Sequence, residues 1–177
     1  MLKIFYAPRN GSGGSAAAYS LLDRVFTAEF GGALPEIKKT PAGKPFFPDR
    51  PEIHFSLSHA STHVLCALSD RPVGVDVESP RQISERAVRF FCSPEEFSLF
   101  DPLELWVLKE SYIKFVGGTL VMVKTIRFSR ENSRIITPGK LAFSKLYHIG
   151  DCCAAATTSV DCFPESIELL TPNSYPG

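Results

Sequence analysis

The chain runs twice through the same course, helical signal followed by three short strands, and within 177 residues that order leaves few architectures open. Leu2 to Tyr6 reads as a strand. A helix is expected from Ala16 to Glu29, because Tyr19, Leu22, Val25, Phe26 and Phe30 recur at helical spacing and Gly31-Gly32 supply the stop. Ahead of it, Gly11-Ser12-Gly13-Gly14-Ser15 reads as a flexible stretch with Ser15 as the helix cap. It lacks the Gly-Lys-Ser/Thr ending of a phosphate-binding loop. After the turn-rich Pro41-Ala42-Gly43-Lys44-Pro45, strands are expected over Ile53 to Ser58, Val64 to Leu68 and Val73 to Glu78. A helical region follows, in which Ser93-Pro94-Glu95-Glu96 places Ser at the N-cap, Pro at the first helical position and Glu at the third. A longer helix is expected from Leu103 to Val116, ended by Gly117-Gly118. The last third reads as strands over Thr125 to Ser129, Leu141 to Tyr147 and Cys152 to Thr158. The order predicts an α+β fold of two similar halves, residues 1–73 and 74–177, packed on each other.

Composition narrows the function classes. Apolar residues make up 44% of the chain, with 14 Phe, enough for a sizeable core. Lys plus Arg and Asp plus Glu balance at 19 each, so no global field draws in nucleic acid or an anionic membrane, and any phosphate must meet a local cluster. No apolar run reaches the roughly 20 residues that span a bilayer, and the start, broken by Pro8, does not read as a signal peptide. The five cysteines, Cys66, Cys92, Cys152, Cys153 and Cys162, form no CxxC pair. They read as reduced thiols of a cytoplasmic protein rather than a disulfide framework or zinc site.

Three places concentrate polar side chains inside apolar segments. In Gly74-Val75-Asp76-Val77-Glu78 the two acids share one strand face, roughly 7 Å apart, and Val75 and Val77 take the other. Side-by-side carboxylates repel unless solvent or a cation separates them, and a hard ion such as Mg²⁺ takes one or two carboxylates plus water and phosphate oxygens. The plain alternative is a solvent-facing strand end. In Trp106-Val107-Leu108-Lys109-Glu110-Ser111-Tyr112-Ile113-Lys114, helical spacing of four puts Trp106, Glu110 and Lys114 on one face. Glu110 offers a third carboxylate and Lys109 and Lys114 offer charges for phosphate, although Glu followed by Lys at i+4 is also an ordinary surface pair. The third place, Phe55-Ser56-Leu57-Ser58-His59, ends an apolar strand with a hydroxyl and an imidazole that can meet an anion or simply close a turn.

Taken in order, Gly43-Lys44-Pro45, Phe55 to His59, Gly74 to Glu78 and Trp106 to Lys114 resemble the motif set of the Sfp-type 4′-phosphopantetheinyl transferases. The similarity runs from about Gly43 to Gly118. It implies a pseudo-twofold pair of α+β halves and Mg²⁺-dependent transfer of the phosphopantetheine arm of coenzyme A to a serine of an apo acyl or peptidyl carrier protein, releasing 3′,5′-ADP. It further implies that Asp76, Glu78 and Glu110 hold Mg²⁺ against the pyrophosphate. Lys109, Lys114, Ser58 and His59 would contact phosphates, Lys44 would line the same pocket, and Lys114 would protonate the leaving phosphate. Glu96 is the expected base for the serine, with Glu95 or a metal-bound water as alternatives. Ser56 departs from the family's Asn, and the helix from Ala16 carries a single basic residue, Arg24. Because both halves lie in one chain, a monomer is expected. A non-catalytic coenzyme A- or carrier-binding relative is the alternative from another class, and a metal-dependent pyrophosphate hydrolase is a third reading.

Overall fold

The structure is a computed structural model that describes residues 1–9, 11, 13–139 and 141–170; Ser12 of the glycine stretch lies outside them. Its elements are β1 (Leu2–Pro8), α1 (Gly14–Phe30), β2 (Lys38–Lys39), β3 (Pro45–Phe46), β4 (His54–His59), β5 (His63–Ser69), β6 (Val73–Glu78), α2 (Glu85–Phe91), α3 (Pro94–Leu99), α4 (Pro102–Val116), a 3₁₀ turn (Leu120–Lys124), β7 (Ser129–Glu131), β8 (Arg134–Ile136), β9 (Phe143–Ile149), β10 (Cys152–Thr158) and β11 (Glu168–Leu169). The fold is α+β with several sheets. One sheet has the order β11-β1-β5-β4, another β6-β10-β9, and β2-β3 and β7-β8 form small hairpins.

Alternation along the strands builds the layers. From the first sheet, Phe5, Phe55, Val64, Cys66 and Leu68 face α1, which answers with Ala18, Leu21, Leu22, Val25 and Phe26 at helical spacing. The alternate residues Ile4, Leu65 and Ala67 pack against Val73, Val75, Val77, Ala154 and Ala156 of the second sheet. On that sheet's far side, Cys153 and Ala155 lie against Leu105 and Leu108 of α4. β10 is buried along its whole length, and its small residues let a sheet and a helix press on it from opposite sides. Each buried Leu, Val, Ile or Phe in these layers contributes about 1.5–3 kcal/mol.

α4 lies tightly against β6. A Cβ on Gly74 would stand 2.0 Å from the Ser111 carbonyl oxygen and 2.3 Å from the Phe115 nitrogen, so only glycine fits there. Gly74, Asp76 and Glu78 therefore face α4, and Val75 and Val77 face the inter-sheet core. Ser111 completes the contact through a buried hydroxyl chain to Thr157 and Ser144, each step 2.8 Å.

Several elements differ from the sequence expectation. Gly13, not Ser15, is the N-cap of α1 and gives no side-chain cap; the helix starts at Gly14, which sits against the His59 ring, 2.5 Å from a would-be Cβ. The strand expected at Thr125 to Ser129 starts only at Ser129, because Ile126 and Phe128 are drawn under α4 as apolar anchors. β7 then pairs with β8 across Asn132 and Ser133, both at positive φ, as a two-residue hairpin turn requires. β11 returns to the first sheet and lies parallel to β1.

Candidate active site

A cavity of about 510 Å³ opens between the two sheets' helices, walled by α1, β4, the Ala42-Gly43-Lys44-Pro45 turn, β6 and α4. Of the residues singled out in the sequence, Lys44, Ser58, His59, Asp76, Glu78, Glu110 and Lys114 line it; Lys109 and Glu96 do not.

β4 meets β6 through serine hydroxyls rather than a backbone ladder. The Val75 N–H donates to Ser56 Oγ at 3.0 Å and the Val77 N–H to Ser58 Oγ at 3.3 Å. Ser56 thus has a structural task, satisfying a buried backbone donor that would otherwise cost about 1–3 kcal/mol. Ser58 in turn donates to Asp76 Oδ1 at 2.7 Å. The same oxygen accepts from Lys114 Nζ at 2.8 Å, and Lys114 also donates to the Leu57 carbonyl at 3.2 Å. Asp76 Oδ2 is left buried with no partner. An orphaned carboxylate oxygen against a cavity wall is a place for a cation.

Glu78, at the end of β6, accepts from the indole N–H of Trp106 at 3.1 Å and from Arg81 at 3.2 Å. Glu110 stands across from them on α4. Burial first, and then the neighbouring Asp76 charge, hold its carboxyl above the usual range, with Lys114 pulling the other way and Glu78 adding to the rise. Asp76, Glu78 and Glu110 thus line one cavity, and the unpartnered Asp76 oxygen is where a cation fits. Among the described residues no three His, Cys, Asp or Glu side chains close into a metal cage.

Lys44 crosses under the end of α4, its Nζ donating to the Phe115 carbonyl at 2.8 Å and the Val73 carbonyl at 3.3 Å. Burial pulls its ammonium down to about 8. It both neutralises the helix C-terminus and presents charge to the cavity. Gly117, at φ 67°, ψ 34°, ends α4 as a left-handed cap, and the Lys44 chain runs beneath it.

Glu96 and Lys109 sit apart from the other residues singled out in the sequence. Glu96 is 1% exposed and Lys109 fully buried. Glu96 Oε2 accepts from Lys109 Nζ at 2.9 Å and from the Ser93 N–H at 3.0 Å, closing the capping box, while Oε1 accepts from the Phe128 N–H at 2.9 Å. Lys109 also donates to the Phe91 and Val123 carbonyls. Neither side chain lines the cavity. Glu95 is exposed on α3 and outside the cavity as well. Sequence reasoning also passed over Tyr19, which lines the α1 wall, and gave Trp106 no task; the spacing of four that set Trp106 beside Glu110 was the available signal.

Residues 72–151 match the model of the 4′-phosphopantetheinyl transferase superfamily. The chain is 40% identical over 88 residues to the 4′-phosphopantetheinyl transferase Sfp of Bacillus subtilis (strain 168), covering 44% of this chain and 39% of that protein. It is 36% identical over 110 residues to the 4′-phosphopantetheinyl transferase gsp of Aneurinibacillus migulanus (56% and 46%), and 39% identical over 147 residues to the 4′-phosphopantetheinyl transferase ffp of Bacillus subtilis (73% and 65%). The chain spans less than two thirds of the length of each of these relatives. The family resemblance read from the four motifs agrees with these matches. No helix among the described residues is long and apolar enough to cross a membrane.

Proposed function

We propose, starting from the match of residues 72–151 to the 4′-phosphopantetheinyl transferase superfamily, that this chain moves the phosphopantetheine arm of coenzyme A to a serine of an apo acyl or peptidyl carrier protein. The observation that carries the reading is the open wall of Asp76, Glu78, Glu110 and Lys114, with one buried carboxylate oxygen unpartnered.

Asp76 and Glu78, with Glu110 beside them, would hold Mg²⁺, which supplies charge neutralisation for the pyrophosphate when bound. Lys114, already beside Asp76, lends its charge to the phosphate and gives a proton to the leaving group. Lys44, Ser58 and His59 border the phosphates from the other wall. With Glu96 sealed away, the serine proton goes to Glu110. It is the lining carboxylate without a hydrogen-bond partner among the described residues. The serine oxygen forms the new bond to the β-phosphorus, the bond to 3′,5′-ADP breaks, and the product leaves with its electron pair. The cavity would position the two reactants against each other.

Each large sheet carries a long helix on its outer face, which supports two halves, 1–73 and 74–177, related by a pseudo-twofold. Because the cavity draws its walls from both halves of one chain, a monomer suffices. The free thiols fit the reducing cytoplasm.

The test is to incubate the protein with Mg²⁺, coenzyme A and a panel of apo carrier proteins, and to weigh the carriers intact. A mass gain equal to the phosphopantetheine arm, lost on chelation and in Glu110→Ala, is expected. Coenzyme A binding without any gain on any carrier would leave a non-catalytic binding relative.

A further inference from the structure

We propose that the buried Glu96–Lys109 pair is a positioning device for Glu78, acting through Phe91 and Trp106; this rests on the transferase reading only for the identity of the ligand that Glu78 meets.

All the pair's bonding capacity goes into the protein. Lys109 directs its ammonium to the Phe91 carbonyl, to Glu96 and to the Val123 carbonyl. Glu96 gathers the Ser93 and Phe128 N–H groups as well. The end of α2, the start of α3, α4, the 3₁₀ turn and the approach to β7 thus meet at one ion pair. A sealed pair of this kind contributes little net stability compared with an apolar replacement, and the best attested use of such a pair is to specify geometry.

The geometry it specifies leads to the cavity. Lys109 holds the carbonyl of Phe91, the last residue of α2. The Phe91 ring stands edge-on to Trp106, centroids 5.1 Å apart at 69°, an arrangement that fixes the indole plane. The indole N–H then points at Glu78 Oε1, 3.1 Å away. Glu78 is the last residue of β6, its backbone paired with Cys153 of β10, so its side chain is set by the partners it finds at the strand end. Its other partner, Arg81, is half exposed and competes with water. The indole bond is the sheltered one, so whatever sets the indole sets the carboxylate. An outer partner of a metal carboxylate typically governs metal affinity by 10–100-fold.

The chain holds a single tryptophan, so fluorescence reads this contact directly. In the ligand-free protein, Glu96→Gln and Phe91→Leu should each shift the Trp106 emission, whether or not the protein is a transferase. Calorimetric titration of coenzyme A at graded Mg²⁺ should show the Mg²⁺ half-saturation raised about 10-fold in Glu96→Gln and in Trp106→Phe. The double variant Glu96→Gln/Trp106→Phe should be no worse than Trp106→Phe within about twofold, because both changes act on one path. Should Glu96→Gln not fold, Phe91→Leu takes its place, since it leaves the ion pair intact. Unchanged emission in the folded variants overturns the proposal, as does a Mg²⁺ requirement in which the two losses multiply. A failed transfer assay with these emission shifts present would count against the transferase reading alone.

Discussion

Two lysines five residues apart on α4 sit in ion pairs of opposite character. Lys109 and Glu96 are sealed, at 0% and 1% side-chain exposure, while Lys114 and Asp76 are 30% and 8% exposed and face the cavity. The sealed pair is complete: every Lys109 proton has an acceptor and both Glu96 oxygens have donors. The open pair is incomplete, because Asp76 keeps a buried oxygen without a partner and Lys114 can exchange protein acceptors for a ligand's. A satisfied pair holds structure, and an unsatisfied one has room for a further partner. One helix thus separates scaffold from chemistry by about 140° of rotation between positions 109 and 114.

The comparison can be broken at four places. The largest effect belongs to the open side. Asp76→Asn should lower the rate of carrier modification by about 10²–10³-fold, in line with the loss of one preorganised electrostatic group, with the thermal midpoint little changed. On the sealed side, Lys109→Met strands a buried carboxylate, and about 3–5 kcal/mol of stability should go. At about 2–4 °C per kcal/mol for a chain of this size, calorimetry should show a midpoint lower by about 6–20 °C. Gly74→Ala presses α4 off β6, which joins the two faces. It should cost about 1–3 kcal/mol and, unlike either change above, lower stability and transfer together, as parallel melting and mass assays would show.

The smallest effect is a pH dependence from Lys44. Its folded value, about 8, lies below its ordinary 10.5. Between those values the unfolded chain binds more protons than the folded one, so this residue's contribution to stability rises with pH across about 8 to 10.5 and is least favourable below 8. Coenzyme A affinity should move oppositely, weakening as pH rises through 8 when the charge is lost. Lys44→Met should flatten both trends in paired melting and binding titrations.

What was legible in the sequence followed from period and punctuation. β10 runs over Cys152–Thr158 as expected, and the Ser93 cap is present in full. Alternation along β6 correctly separated Val75 and Val77 from the acids. The spacing of Trp106, Glu110 and Lys114 also placed them on one face, and the same rule puts Lys109 about 100° around the helix from Glu110. Both the residue pattern and the motif resemblance offered Lys109 as a phosphate charge beside Lys114, and the structure places it in the buried pair with Glu96 instead of along the cavity. Glu96 carried two readings, cap and base, that its neighbours in sequence cannot separate; the Phe128 N–H that seals it lies 32 residues away. The two-residue strands β2, β3 and β11 are too short to express any period. The hydroxyl stitching of β4 to β6 by Ser56 and Ser58 is a tertiary contact with no local signature.

The most direct test of the contrast is a calorimetric titration of coenzyme A into the protein with and without Mg²⁺, repeated on Asp76→Asn. The open wall predicts one binding site per chain whose affinity depends on Mg²⁺ and on Asp76. Equally tight binding in all four titrations would contradict it, and would move the ligand away from the carboxylates of β6 and α4.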